Sequence, residues 1–176
     1  MSMAEPQPWS IREAGADDIA ALSLVASATF LETFAGVLPG AAIVAHCANA
    51  YAPERFADYF ASGSRGWILE AAPGGAPVGF AQLTAPDLPG AVPGDIELKR
   101  IYLLSRFHGS GAGAALMAAA VAGAAGHGRL LLGVYARNAR ALAFYGKQGF
   151  VPMAERRFDV GGQLFDDVVL ARPLAA

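Results

Sequence analysis

The sequence predicts an α/β fold, a mixed sheet with helices on both faces, and three observations carry that expectation. Strand-like and helix-like segments alternate in the order strand, helices, three strands, helix, strand, helix, two strands. Hydrophobic residues make up 55% of the 176-residue chain and charged residues 16%, a balance that supports a buried core and excludes disorder. A strand that runs through a glycine-rich turn directly into an alanine-rich helix occupies residues 100–116. With no internal repeat or interdomain linker, one domain spanning 1–176 is expected.

The elements follow in order. Trp9 to Arg12 is a first strand, and Asp17 and Asp18 open a helix whose stripe of Leu22, Val25, Phe30 and Phe34 runs to about Ala35. Pro39 starts a second helix through Ala50, and Pro53 a third containing Phe56, Tyr59 and Phe60. Trp67 to Ala71 and Val78 to Thr84 flank the turn Pro73-Gly74-Gly75 as a hairpin. After the loop Pro86 to Gly94, Asp95 to Leu104 is a long central strand and Gly109 to Ala125 a helix. Leu130 to Tyr135 is a buried strand and Asn138 to Gln148 a helix. Strands at about Phe150 to Val160 and Gln163 to Ala171 meet at a Gly161-Gly162 turn.

Composition removes several function classes. A net charge of −2 with no basic cluster argues against nucleic-acid and membrane partners. Cys47 is the single cysteine, and His46, His108 and His127 show no ligand spacing, so no metal site is expected. Residues Met1 to Ser10 contain no apolar run of the signal-peptide kind, and the apolar stretch Ala112 to Ala125 is too short to span a bilayer. A cytoplasmic location follows by default.

The most informative stretch is Arg100-Ile101-Tyr102-Leu103-Leu104-Ser105-Arg106-Phe107-His108-Gly109-Ser110-Gly111-Ala112-Gly113-Ala114-Ala115-Leu116. The first amides of a helix have no intrahelical acceptor, and with the helix dipole they seat an anion, most often a phosphate. Glycines at 109, 111 and 113 keep side chains away from such a group. A P-loop would need Gly-Lys-Ser/Thr, which is missing, and a dinucleotide fold places its glycines in the first strand–helix unit. A purely structural glycine turn is the bland alternative.

Taken with a second block, this stretch resembles the GNAT superfamily of acetyl-CoA-dependent N-acetyltransferases. The family signature Gln/Arg-x-x-Gly-x-Gly/Ala aligns with His108, Gly111 and Gly113, and His108 departs from the usual first residue. The second block, Gly133-Val134-Tyr135-Ala136-Arg137-Asn138-Ala139-Arg140-Ala141-Leu142-Ala143-Phe144-Tyr145-Gly146-Lys147-Gln148-Gly149-Phe150, is similar to the family's Asn-x-x-Ala-x-x-Phe-Tyr-x-x-x-Gly-Phe. The resemblance covers Asp95 onward closely and the first 94 residues in element order only. It implies a mostly antiparallel sheet of about seven strands and acetyl-CoA as cosubstrate. Leu98 to Leu103, Leu132 to Val134 and the tail phrases Phe158 to Gly162 and Asp167 to Leu170 are similar to bacterial polyamine N-acetyltransferases.

The resemblance also implies roles. An alkylammonium of pKa about 10.4 must lose a proton before it attacks a thioester, at a cost of roughly 4–5 kcal/mol at pH 7. The departing thiolate, of pKa about 8.5, gains from a proton donor. Tyr145 is the expected general acid, and Phe144 and Ala141 offer the cofactor arm an apolar wall. Asn138, seven residues earlier on the same helix, is expected to bond that arm. Backbone groups of Ile101, Tyr102 and Leu103 are expected along the arm, and those of His108, Gly109, Ser110, Gly111, Ala112, Gly113 and Ala114 at the pyrophosphate. Glu97 is the candidate base, with a salt-bridged strand glutamate beside Lys99 or Arg100 as the competing reading. Even spacing would set it on the same side of an unbroken strand as Ile101 and Leu103. Glu32 is a candidate for the amine pocket, with Asp58 as further acidic lining. Arg100 and Tyr102 read as braces of the sheet. The expected partner is a small-molecule primary amine, polyamines among them, and a homodimer is compatible. A protein N-terminal or lysine acetyltransferase, or a catalytically silent acyl-CoA sensor, are the competing functions.

Overall fold

In the computed structural model, which describes residues 8–160 and 162–175, seven strands form one sheet in the order β1-β2-β3-β4-β5-β7-β6. The strands are β1 (Trp9–Ala14), β2 (Arg65–Ala71), β3 (Ala76–Thr84), β4 (Asp95–Leu103), β5 (Arg129–Tyr135), β6 (Val151–Val160) and β7 (Gln163–Pro173). The helices are α1 (Ile19–Phe34), α2 (Gly40–Ala50), α3 (Pro53–Ala61), α4 (Ala112–Gly123) and α5 (Ala139–Lys147). Every neighbouring pair is antiparallel except β4 and β5. The expected elements are all present. The acidic start of the first helix proves to be a separate 3₁₀ turn, and α4 begins at Ala112 rather than Gly109. Of the expected Gly161-Gly162 turn, Gly161 lies outside the described residues; Gly162 has the positive φ of 89° that glycine tolerates best.

Alternation along the strands sorts the apolar residues into two layers. Leu69, Ala81, Leu83, Leu98, Leu132 and Leu170 face α4 and α5, where they meet Leu116, Met117 and Phe150. Ile68, Phe80 and Val160 face α1–α3 and pack on Leu22, Val25, Phe30 and Phe56. Phe80 is fully enclosed, with Phe56 edge-on at 6.3 Å and Tyr102 stacked at 6.1 Å.

The parallel pair is short. It covers only Asp95–Glu97 against Arg129–Leu131, after which β4 and β5 diverge. Its closed end is clamped by charge: Arg129 donates through Nη2 and Nε to the two carboxylate oxygens of Asp95, at 2.6 and 2.9 Å. The Val92 N–H donates to the same carboxylate at 2.8 Å. The Arg129 hydrogen bonds hold the Asp95 pKa below the ordinary carboxylate value, and the Val92 N–H adds to the effect. With the folded pKa below the unfolded value of about 3.9, this stabilisation is complete above about pH 4 and lost as pH falls through the folded pKa. Asp95→Asn is therefore expected to lower stability at neutral pH and to flatten its decline in acid. Thermal unfolding followed between about pH 3 and 7 checks both; parallel curves for the two proteins would refute the clamp.

Candidate active site

Where β4 and β5 part, alternate backbone groups of β4 beyond Glu97 face a gap instead of a partner strand. A cavity of about 1310 Å³ occupies that gap and reaches both faces of the sheet. This exceeds the roughly 300–1,000 Å³ of a pocket for one small ligand. It is bounded by the glycine turn and α5 on one side and by α1, α2 and α3 on the other.

On the first side, the residues expected at the cofactor come together. Gly109 and Gly111 adopt φ values of 78° and 84°, a left-handed conformation open to glycine at little steric cost. The first helical bond of α4 runs from the Ala115 N–H to the Gly111 carbonyl, so the N–H groups of Ala112, Gly113 and Ala114 have no carbonyl within the helix. Ser110 braces the turn by donating from Oγ to the Phe107 carbonyl at 2.6 Å. Gly113 differs from expectation: a Cβ there would meet Phe144 at 3.7 Å and Leu103 at 3.9 Å, so its bare side faces packing and not the anion seat.

His108, the departure from the signature, places Nε2 3.0 Å from the Leu103 carbonyl. A carbonyl only accepts, so in the neutral ring Nε2 carries the hydrogen and Nδ1 the lone pair. Nδ1 is buried and has no hydrogen-bond partner among the described residues. The Ala112 N–H donates to Ser110 Oγ at 3.4 Å. Together with the amides of Gly113 and Ala114, the Nδ1 acceptor on the cavity wall fits a ligand bearing both phosphates and amide N–H groups.

At α5, Asn138 borders the cavity and also has a local role. Its Oδ1 accepts the Ala141 N–H at 3.1 Å, so the side chain caps the helix and that oxygen is committed. Ala141 and Phe144 still border the cavity. Tyr145 lies against Phe144 and Phe150, ring centroids 5.5 and 5.7 Å away, and is 9% exposed. Burial raises the pKa of its phenol well above ten, and the neighbouring Tyr102 adds to this, so the hydroxyl stays protonated at any working pH.

On the other side, the reading of β4 as unbroken fails. A bulge at Lys99 shifts the register between Gln82↔Arg100 and Leu83↔Leu98. Leu98 and Ile101 consequently face α4 together with Leu103, while Glu97, Arg100 and Tyr102 share the opposite face with Gln82 and Phe80. Glu97 is 2% exposed. Its Oε2 accepts the Asp87 N–H at 2.8 Å and Oε1 stands 3.7 Å from Lys99 Nζ. Glu32 borders the cavity but is engaged: Ser105 donates to it from N and from Oγ, both at 2.8 Å. Asp58 also borders the cavity and is exposed.

Three groups on this face had no role at the site in the sequence reading, where Arg100 was only a brace of the sheet. Arg100 points into the cavity among aromatic rings. His46 stacks on Phe30 at 4.3 Å, and burial, helped by the positive field of Arg100, lowers its pKa so that the ring is neutral. Asp167, buried on β7, pairs loosely with Arg156 at 3.3 Å, and burial raises its pKa against that pairing. One signal for the last pair was visible: Gly133 interrupts an apolar strand, and a Cβ there would collide with the Arg156 guanidinium. No helix among the described residues is long and apolar enough to cross a membrane.

Comparison with known proteins agrees with this architecture. The model of the acetyltransferase (GNAT) family matches residues 38–150. An uncharacterised N-acetyltransferase of Mycobacterium tuberculosis is 42% identical over 122 residues, which is 68% of this chain and 74% of that protein. Among solved structures, the PaiA N-acetyltransferase of Thermoplasma acidophilum, crystallised with coenzyme A, superposes with a TM-score of 0.74 at 20% identity, covering 94% of this chain and 98% of its own. The ribosomal-protein-S18-alanine N-acetyltransferase of Escherichia coli gives 0.65 at 22% identity, covering 96% and 95%. With a diverging strand pair, a glycine turn opening a helix and a family match over most of its length, this chain belongs to the GNAT family of acetyl-CoA-dependent N-acetyltransferases.

Proposed function

We propose that the protein acetylates a primary amine on a small molecule by direct attack, with Tyr145 as proton donor to the departing sulfur. One observation carries this reading: a buried phenol, protonated in the resting protein, borders the same through-going cavity as the glycine turn and the α1–α3 face. Acetyl-CoA supplies the activated acetyl group. The amides of Gly109 to Ala114 would hold its pyrophosphate, and the open edge of Ile101 to Leu103 with His108 Nδ1 would meet the arm's amides. Ala141 and Phe144 provide apolar cover, and a backbone N–H on the open β4 edge would polarise the acetyl carbonyl.

Glu97 is the proposed base. The bulge turns it toward the acceptor side, and a carboxylate with about four lone-pair sites keeps room for a water or an amine beside its bonds to Asp87 and Lys99. An amine that must shed its proton needs that help most near neutrality. Glu97→Gln is therefore expected to lose most rate near pH 7 and progressively less as pH approaches the amine pKa of about 10.4. A pH-independent ratio of the two rates would remove Glu97 from the chemistry.

α2 and α3 wall the acceptor side, which supports a small acceptor over a protein chain end. Polyamines remain within this reading through Asp58, but Glu32 and Glu97 already hold partners. The test is acetyl-CoA consumption against polyamines, amino acids, aminoglycosides and short peptides. Turnover confined to the peptides would overturn the small-amine reading.

A further inference from the structure

Arg100, half-buried in the acceptor half of the cavity, has no carboxylate to meet it among the described residues. Arg100 leaves β4 just past the bulge, and its guanidinium carbon lies 4.9 Å from the ring centre of Tyr51, 5.5 Å from Phe56 and 5.2 Å from Tyr59. Nη1 donates to Gln82 Oε1 at 2.8 Å, and Nη2 to the Ala50 carbonyl, at the C-terminal end of α2, at 3.2 Å. Two of five N–H donors are thereby used. Two other half-buried arginines of the sheet, Arg129 and Arg156, each face an aspartate. Among the described residues no carboxylate lies within ion-pair distance of Arg100.

The rings and the helix-end carbonyl offset part of the cost of holding a guanidinium out of water, and they also fix its plane. A planar, aimed fork with free donors suits a carboxylate, which it can bind through two parallel hydrogen bonds. The nearby acids do not provide one. Glu32 is held by Ser105, Glu97 by Asp87 and Lys99, and Asp167 by Arg156. His46 is neutral and adds no counter-charge. A polycation in this half of the cavity would meet an unneutralised guanidinium and, apart from the exposed Asp58, carboxylates already engaged.

We propose that the acceptor is an amine that also carries a carboxylate, an amino acid in the broad sense, bound with its acid group on the Arg100 fork. This rests on the acetyl-transfer reading above. It makes Arg100 a specificity residue and leaves the proton transfers to others. The competing role is a brace that ties α2 and the aromatic cluster to β4; a brace would alter stability but would not choose between acceptors.

Matched acceptor pairs differing only by the carboxylate separate the two: lysine and cadaverine, ornithine and putrescine, phenylalanine and phenethylamine. In the wild-type protein the acid-bearing member of the accepted pair is expected to have the higher kcat/KM, by tenfold or more. Arg100→Met, whose flexible apolar side chain fits the aromatic cluster, should reduce that preference to about threefold or less through KM. The KM for acetyl-CoA should stay unchanged. Arg100→Lys keeps the charge without the fork and should retain part of the preference, so it carries the test if the Met variant does not fold. A wild-type preference for the decarboxylated member, or a preference undiminished in the variants, overturns the assignment while leaving acetyl transfer intact. Acetyl-CoA binding by calorimetry with turnover of neither member of any pair would instead defeat the small-amine reading beneath it.

Discussion

Tyr145→Phe is expected to lower kcat by about 10²–10³-fold while acetyl-CoA affinity changes by less than about twofold. The substitution removes one oxygen and keeps the ring between Phe144 and Phe150. Among the described residues the hydroxyl bonds to no protein group, so its loss leaves no partner stranded and thermal stability should hold. The phosphate seat lies at the other end of the cofactor arm and does not involve the phenol. What would disappear is the proposed proton donor, which burial keeps protonated in the resting protein. The deficit should also have a pH signature. A thiolate of pKa about 8.5 needs a proton on departure below that value and progressively less above it. The ratio of wild-type to variant rates, measured from about pH 7 to 10, should therefore shrink toward alkaline pH. A variant rate within about threefold of wild type at pH 7 would exclude the phenol as the acid.

The fold and the elements that border the glycine turn were legible because their signals are local. A strand leading into a glycine turn, and a helix carrying Phe144-Tyr145, can each be recognised within a score of residues, and both form as expected. The face of Glu97 was misread although the pattern contained the answer. Ile96 and Leu98 are two apart, Ile101 and Leu103 are two apart, but the step between the pairs is three. That slip of apolar phase is what a one-residue bulge produces, and the register shows it.

The acceptor side was not legible, for a different reason. The rings around Arg100 come from Tyr51, Phe56 and Tyr59, about half a hundred residues earlier in the chain, and α2 and α3 carry no motif that announces what they will face. Arg100 read as a brace because a charged residue in a strand has a bland explanation until its partners are known. Asn138 shows the reverse: its cap to Ala141 is a local consequence of standing before a helix, and it was passed over for a ligand contact.

Gly111→Val is expected to weaken acetyl-CoA binding strongly while barely moving the thermal midpoint. Gly111 holds φ at 84° as the residue before α4. A left-handed backbone costs a side-chain-bearing residue about 1–2 kcal/mol, with β-branched valine at the upper end. In a buried turn that strain would appear as lost stability. Here Gly109, Ser110 and Gly111 are exposed, and a Cβ at Gly111 would touch nothing within 4 Å, so the free protein can relax the turn without disturbing the core. The relaxed turn no longer aims the amides of Gly111 to Ala114 at one point, and binding must restore the strained form. The strain then returns as lost affinity: at 1.4 kcal/mol per decade it corresponds to about 5–30-fold in Kd. Ser110→Ala, which loses the bond to the Phe107 carbonyl but keeps the left-handed glycines, should fall well short of that. Calorimetric titration with acetyl-CoA and with dephosphorylated pantetheine locates the effect. A loss seen for the first and absent for the second assigns it to the phosphate seat. Equal losses for both would mean that the turn supports the arm and does not grip the anion.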